Sequence, residues 1–294
     1  MGILLDRNTR MITIGLNSPL AQFHTTSCLE YGTNVVGAVV PGLGGTSKDG
    51  VRIFNTISLA QKNTGASVAM MFLPPQLVLD GILECIEAEI SLIVCTTTGV
   101  PLHDMLKLKS ILRNSKSQLI GPSSVGVITP GECKVGVMPG FIFMPGNVGV
   151  VSRSGSLLYE MVSELTKQEI GQSTCVGLGG DNVIGSDFID VIKLFEKDHA
   201  TKLILILGEI GGNYEIDVAH YIRKNVSKPV VAYVAGSMMP RDRQVGHSGM
   251  EINSLIHSAE KKLEVFEECA VNIVRSPDKI TQKVKKLIFD QELI

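Results

Sequence analysis

His247 stands in the stretch "QVGHSGMEIN" (residues 244–253), with Gly246 before it and Ser248 and Gly249 after it. An imidazole among small residues has no bulky neighbours to bury it, so it is either a solvated loop residue or a group left open to reactants. A histidine ring nitrogen can act as a covalent nucleophile towards a phosphoryl group. The dianionic phosphohistidine that results needs backbone N–H groups to receive the phosphate and a carboxylate on the other ring nitrogen. The chain holds a candidate for each. Glu209 lies in "GEIGGNYE", flanked by Gly208 and by Gly211–Gly212, and Ser154 and Gly155 lie in "SRSGS" where an apolar run gives way to a helical pattern. Glu209 could equally be a loop carboxylate facing water, and Ser154 or Ser156 an ordinary helix N-cap.

What makes the three a set is the order of elements that would carry them. Short apolar runs rich in β-branched residues recur at 11–15, 34–40, 67–72, 91–96 and 117–121, with helical spacing near 19–31, 76–88 and 101–114. The alternation resumes with runs at 147–152, 173–178, 202–207, 229–235 and 271–274, and helices near 155–168, 187–196, 214–225, 249–262 and 276–288. Strands without polar alternation belong to parallel sheets covered on both faces. The predicted fold class is therefore α/β, with two consecutive open parallel-sheet domains. The first is expected over residues 1–125 and the second over 146–294, with the Pro- and Gly-rich stretch 126–145 as a connector. Ligands of such sheets collect beyond the carboxyl ends of the strands. Ser154, Glu209 and His247 all follow strands of the second domain. In the first domain the equivalent loops are Gly15 to Ala21, including Asn17, Ser18, Pro19 and Leu20; "PGLGG" (41–45); and "TTTGVP" (96–101), where the hydroxyls of Thr96 and Thr97 can hydrogen-bond a ligand.

Composition narrows the class. At 44% hydrophobic and 19% charged residues, the 294-residue chain has a globular balance with enough apolar material for two cores. A net charge of −2, few aromatics and no Trp argue against a nucleic-acid or anionic-membrane surface. Apolar runs such as "LILIL" are too short to span a bilayer. Six scattered cysteines without a CxxC pair point to reduced thiols rather than a zinc site or a disulfide framework. No metal-ligand spacing and no Walker loop is present. The N-terminal residues lack a signal or transit pattern, so a cytoplasmic protein is expected, or one of the mitochondrial matrix in a eukaryote.

The ordered segments "YGTNVVGAVVPGLGGT", "VGVITPGECKVGVMPG", "VSRSGSLLYE", "GQSTCVGLGGD", "GEIGGN", "KPVVAYVAG" and "GHSG" resemble the α subunit of succinyl-CoA synthetase (succinate–CoA ligase), collinearly over nearly the whole chain. The resemblance implies a Rossmann-like CoA-binding domain followed by a flavodoxin-like domain carrying the phosphohistidine. It implies reversible joining of succinate to CoA at the expense of a nucleoside triphosphate, through succinyl phosphate. A partner β subunit would hold ATP or GTP and Mg²⁺, in an αβ heterodimer or an α2β2 assembly. On matching positions, His247 would be the phosphohistidine, Glu209 its carboxylate partner, Ser154 and Gly155 the phosphate-binding backbone and Tyr159 a residue near the succinate end.

The departures from the family pattern fall around CoA. The expected GxTGxxG loop is Gly15-Leu16-Asn17-Ser18-Pro19-Leu20-Ala21; the lysine of "PGKGG" is Leu43; the glutamate of "TEG" is Thr98, in Thr97-Thr98-Gly99; and "GPNCPG" is Gly121-Pro122-Ser123-Ser124-Val125-Gly126. After the histidine the second glycine cluster is missing. Two readings follow: an active ligase subunit, or a paralogue that joins the β subunit with weakened CoA binding, as an assembly or regulatory subunit or a phosphohistidine carrier.

Overall fold

The computed structural model describes residues 2–237 and 258–290. Among the described residues two seven-stranded sheets follow one another along the chain. The first is built from β1 (Arg10–Ile14), β2 (Asn34–Val39), β3 (Ser47–Lys48), β4 (Val51–Phe54), β5 (Val68–Met71), β6 (Leu92–Cys95) and β7 (Gln118–Ile120). Its order, β3-β4-β2-β1-β5-β6-β7, is that of a Rossmann-type doubly wound sheet with a two-residue antiparallel strand added at one edge. Helices α1 (Pro19–Glu30), α2 (Ile57–Thr64), α3 (Val78–Glu87) and α4 (Leu102–Leu112) connect the parallel strands. The strands are buried almost end to end, as in "VAMM" and "LIVC", because helices cover both faces.

The second sheet comprises β8 (Gly126–Thr129), β9 (Cys133–Gly136), β10 (Pro145–Ser152), β11 (Gln172–Gly177), β12 (Leu203–Glu209), β13 (Val230–Ala235) and β14 (Asn272–Val274). The order is β14-β13-β12-β10-β11-β8-β9. Taken from β11, its parallel part reads 2-1-3-4-5, the flavodoxin-like winding. Helices α5 (Gly155–Lys167), α6 (Phe188–Lys197), α7 (Tyr214–Asn225), α8 (Ala259–Glu268) and α9 (Ile280–Asp290) complete this half.

Three expectations change. The stretch 126–145 is not a plain connector: β8 and β9 pair antiparallel with each other, and β8 pairs with β11, closing one edge of the second sheet. The glycines and prolines there turn a hairpin whose Val127, Ile128 and Val135 are fully buried. The segment 46–64, where no regular apolar pattern marks an element, forms β3, β4 and α2. The helix expected over 249–262 begins at Ala259, capped by the Ser258 side chain, and runs on to Glu268; the part before Ser258 lies outside the described residues.

The halves meet in one shared apolar cluster, beside a further cluster in each. Met11, Val68, Val94 and Ile120 of the first sheet pack in the same apolar cluster as Val127, Val176, Ile204 and Ile206 of the second. Hydrogen bonds cross between them from the Thr33 hydroxyl to Lys134 O at 2.8 Å, and from Ser186 N–H to Leu119 O at 2.7 Å.

Candidate functional site

In the second sheet the winding reverses between β10 and β12, so their carboxyl ends open the crevice where ligands of such sheets gather. Register pairs Ser152 with Leu207 there, and Glu209 is the last residue of β12. Beyond Ser152 the chain turns into α5. The Ser152 hydroxyl accepts from Ser154 N–H at 3.1 Å and reaches Leu207 O at 3.1 Å, locking the turn to the neighbouring strand. Ser154 is the N-cap of α5, its hydroxyl accepting from Leu157 N–H at 3.4 Å. The cap and the anion-receiving readings of Ser154 are compatible. The hydroxyl serves the helix, while the free N–H groups of the helix start carry its partial positive charge.

Glu209 is nearly buried. Its Oε1 lies 3.6 Å from Nη1 of Arg153, whose side chain is fully enclosed. Arg153 also lies 4.9 Å from the centre of the Tyr214 ring and donates to Asp181 O at 3.1 Å. A buried carboxylate of this kind requires a cation, and the guanidinium, always charged, supplies it. The Glu209 backbone is held as well. Its N–H donates to Glu215 Oε1 at 3.1 Å, and its carbonyl accepts from Lys262 Nζ at 2.8 Å. Past Glu209, Gly211 and Gly212 take positive φ values of 83° and 62°, a conformation that turns the chain out of the strand and that side chains disfavour.

His247 lies outside the described residues, but both flanks of its segment are placed. Upstream, Ala235 at the end of β13 is the register partner of Glu209. Downstream, α8 begins at Ala259, and its Lys262 reaches back to the Glu209 carbonyl. Tyr159 sits on α5, half-buried against the core around Leu158, and burial pushes its phenol up to about 12. Its described surroundings are those of a packing residue.

In the first sheet the winding reverses between β1 and β5, and the candidate CoA loops flank that point. Gly15 turns the chain at φ 86°, and a Cβ there would lie 2.7 Å from Phe72 O. Ser18 caps α1 by accepting from Ala21 N–H at 3.1 Å, and Pro19 is the first helical residue; Asn17 and Leu20 are exposed. The Thr96 and Thr97 hydroxyls donate to Met71 O at 3.0 Å and Leu73 O at 2.6 Å, tying this loop to the end of β5. They therefore shape the loop before they can address a ligand. Leu43 is exposed in a loop whose Gly42 and Gly44 N–H groups both donate to Asn55 Oδ1.

Arg153, Glu215 and Lys262 were given no role in the sequence reading. Arg153 had a signal, a charge set between two serines directly after a buried strand. Lys262 had another: it falls three residues after Ala259 and four before Phe266, on the apolar face of its helix. Among the described residues no group of three or more His, Cys, Asp or Glu is placed to hold a metal ion.

Residues 6–99 match the family model described as CoA binding domain, and residues 151–269 the one described as CoA-ligase. The chain is 43% identical over 280 residues to the succinate–CoA ligase (ADP-forming) subunit alpha of Staphylococcus aureus, covering 95% of this chain and 93% of that one. Its Staphylococcus epidermidis counterpart is 42% identical over the same shares. Among solved structures, the ATP citrate lyase of Methanosaeta concilii, in complex with (3S)-citryl-CoA, superposes with a TM-score of 0.90 at 25% identity. That of Methanothrix soehngenii, with citrate and coenzyme A, gives 0.89. Both alignments cover 99% of this chain but 52% of the lyase, so the chain spans about half the length of those proteins. A chain 43% identical to a ligase α subunit over 95% of its length, with both matched regions in order, belongs to the succinate–CoA ligase α-subunit family.

Proposed function

We infer that the chain is the working α subunit of a succinate–CoA ligase. In the direction of thioester synthesis, a ring nitrogen of His247 takes the terminal phosphoryl group of a nucleoside triphosphate and the diphosphate leaves. A succinate carboxylate then attacks the phosphorus, forming succinyl phosphate and freeing the imidazole. The CoA thiolate attacks the acyl carbon, forming the thioester and expelling inorganic phosphate. Glu209 orients the imidazole and stabilises its protonated form, Ser154 and Gly155 present the α5 terminus to the phosphate, and Tyr159 lies towards the succinate end. Gly15 to Leu20 with Thr96 and Thr97 form the CoA face. The nucleotide and Mg²⁺ belong to a partner β subunit, in an αβ or α2β2 assembly. The CoA-binding unit is residues 1–125, and the second unit begins with the β8–β9 hairpin at Gly126.

The observation that carries this reading is the convergence on Glu209. Arg153 before α5, the end of β13 leading to His247 and the start of α8 following it all meet that one carboxylate-bearing residue. The test uses the chain purified with its β subunit and a nucleotide labelled in the terminal phosphate. Acid-labile label is expected on the parent and absent from His247→Asn, and succinate and CoA together should discharge it. Label that persists at high CoA would favour the paralogue with weakened CoA binding; no label on a nucleotide-competent complex would remove the phosphohistidine.

A further inference from the structure

We propose that Lys262 and Glu215 form a buried positioning pair that fixes Glu209 and ties its placement to the start of α8; the idea rests on the functional reading above. Both side chains have no exposed surface, and they form an ion pair with each other. An ammonium has three N–H donors, and Lys262 spends them on Glu209 O at 2.8 Å, Gly211 O at 2.6 Å and Glu215 Oε2. The other oxygen of Glu215 accepts the Glu209 N–H at 3.1 Å. The two polar groups of the Glu209 peptide backbone, N–H and C=O, are thus both held by one ion pair.

Packing leaves little slack. A Cβ on Gly208 would lie 2.6 Å from Glu215 Cγ, so the strand end and the Glu215 side chain are in close contact. Burial lowers the Lys262 pKa, and the neighbouring Glu215 carboxylate opposes that shift. Each N–H of the ammonium is matched to an acceptor.

Position in the chain gives the pair its second role. Glu215 opens α7 just after Glu209, whereas Lys262 lies in the first turn of α8, the first described helix after the segment with His247. Moving the start of α8 therefore moves the donor on the Glu209 carbonyl. A stabilising ion pair could be replaced by apolar residues without loss; one that sets the carboxylate's position could not.

The experiment uses the double variant Lys262→Met/Glu215→Gln, electrically neutral and of similar volume, in complex with the β subunit. Its rate of His247 phosphorylation should fall at least tenfold with nucleotide KM unchanged, because the nucleotide lies on the other chain. Amide hydrogen exchange over residues 208–213 should quicken at the same time. Asp187→Ala, which removes the capping box of α6, serves as a destabilised control and should keep labelling within twofold. Unchanged exchange and labelling within twofold in the double variant would overturn the proposal, as would an equal loss of labelling in the control. If the parent itself takes no label, the functional reading falls. Faster exchange in the double variant but not in the control would then still support the pair, and unchanged exchange would sink it. Should the double variant not fold, Lys262→Arg, which keeps a cation opposite Glu215 but replaces the ammonium's donor geometry on the Glu209 carbonyl, is read by the same measures.

Discussion

In the function proposed above, Glu209 serves both stability, through Arg153, and chemistry. Removing one partner of a buried ion pair leaves the other charge uncompensated, at a cost of about 3–5 kcal/mol. Glu209→Gln, facing the enclosed Arg153, should therefore lower the urea midpoint measurably, and it should also slow phosphoryl transfer at His247 by tenfold or more. An unchanged midpoint would mean that the 3.6 Å contact contributes nothing to the folded state. Leu43 poses the opposite case. It is 46% exposed in a loop already braced by Asn55, so a cation introduced there needs no rebuilding of the backbone. A charge-assisted contact to phosphate is worth about 1.5–3 kcal/mol. Leu43→Lys should thus tighten CoA binding about tenfold or more by calorimetry; no change would place the CoA phosphates elsewhere.

At the scale of elements, the turn from β10 into α5 depends on a small residue. A Cβ at Gly155 would lie 2.3 Å from Val125 Cγ1. Gly155→Ala should cost about 1–3 kcal/mol through overpacking, and Val125→Ala in the same chain should recover part of that in a double-mutant cycle of thermal midpoints. Additivity of the two changes would show that the contact does not govern the turn. Ten strands (β1, β2, β5 to β7 and β10 to β14) were legible in the sequence because each lies in a continuous apolar run, such as "SLIVCT" and "KLILIL". What escaped was short or mixed. β4 is four residues with the exposed Arg52 inside it, β3 is two, and the β8–β9 hairpin was hidden by turn glycines. Glu209 and Ser154 could be picked out as candidates because they follow apolar runs, and the structure places both at the carboxyl ends of strands, where ligands of such sheets collect. Arg153, Glu215 and Lys262 could not be paired beforehand, because only the fold brings residues 153, 209, 215 and 262 together.

Over the whole molecule, buried ionisable groups set how the protein answers to pH and to reagents. All six cysteines are buried, and burial pushes the thiols of Cys95 and Cys133 up to about 12. A thiol reagent at pH 8 should find none of the six reactive in the native state and all six after denaturation; rapid native modification would contradict this enclosure. Lys134 joins the halves, donating to the Ser27 hydroxyl at 2.7 Å and Met138 O at 3.0 Å, and burial lowers its pKa. The unfolded lysine then holds its proton to higher pH than the folded one. Its burial penalty is full at neutral pH and shrinks as pH rises from the depressed folded value towards 10.5. The urea midpoint of the parent should gain on that of Lys134→Met across this alkaline window; parallel curves would show that Lys134 does not titrate differently on folding.

Residues near the amino end bind to the far half. Ile3 N–H donates to the Thr174 hydroxyl across 171 positions, and the Leu5 carbonyl accepts from Thr129. During synthesis at about 5–20 residues per second, Ile3 and Leu5 would leave the ribosome roughly 10–30 s before their berth exists. Until then the nascent chain carries two uncovered aliphatic side chains ahead of β1, and residues made before the first sheet are among the last to be put away.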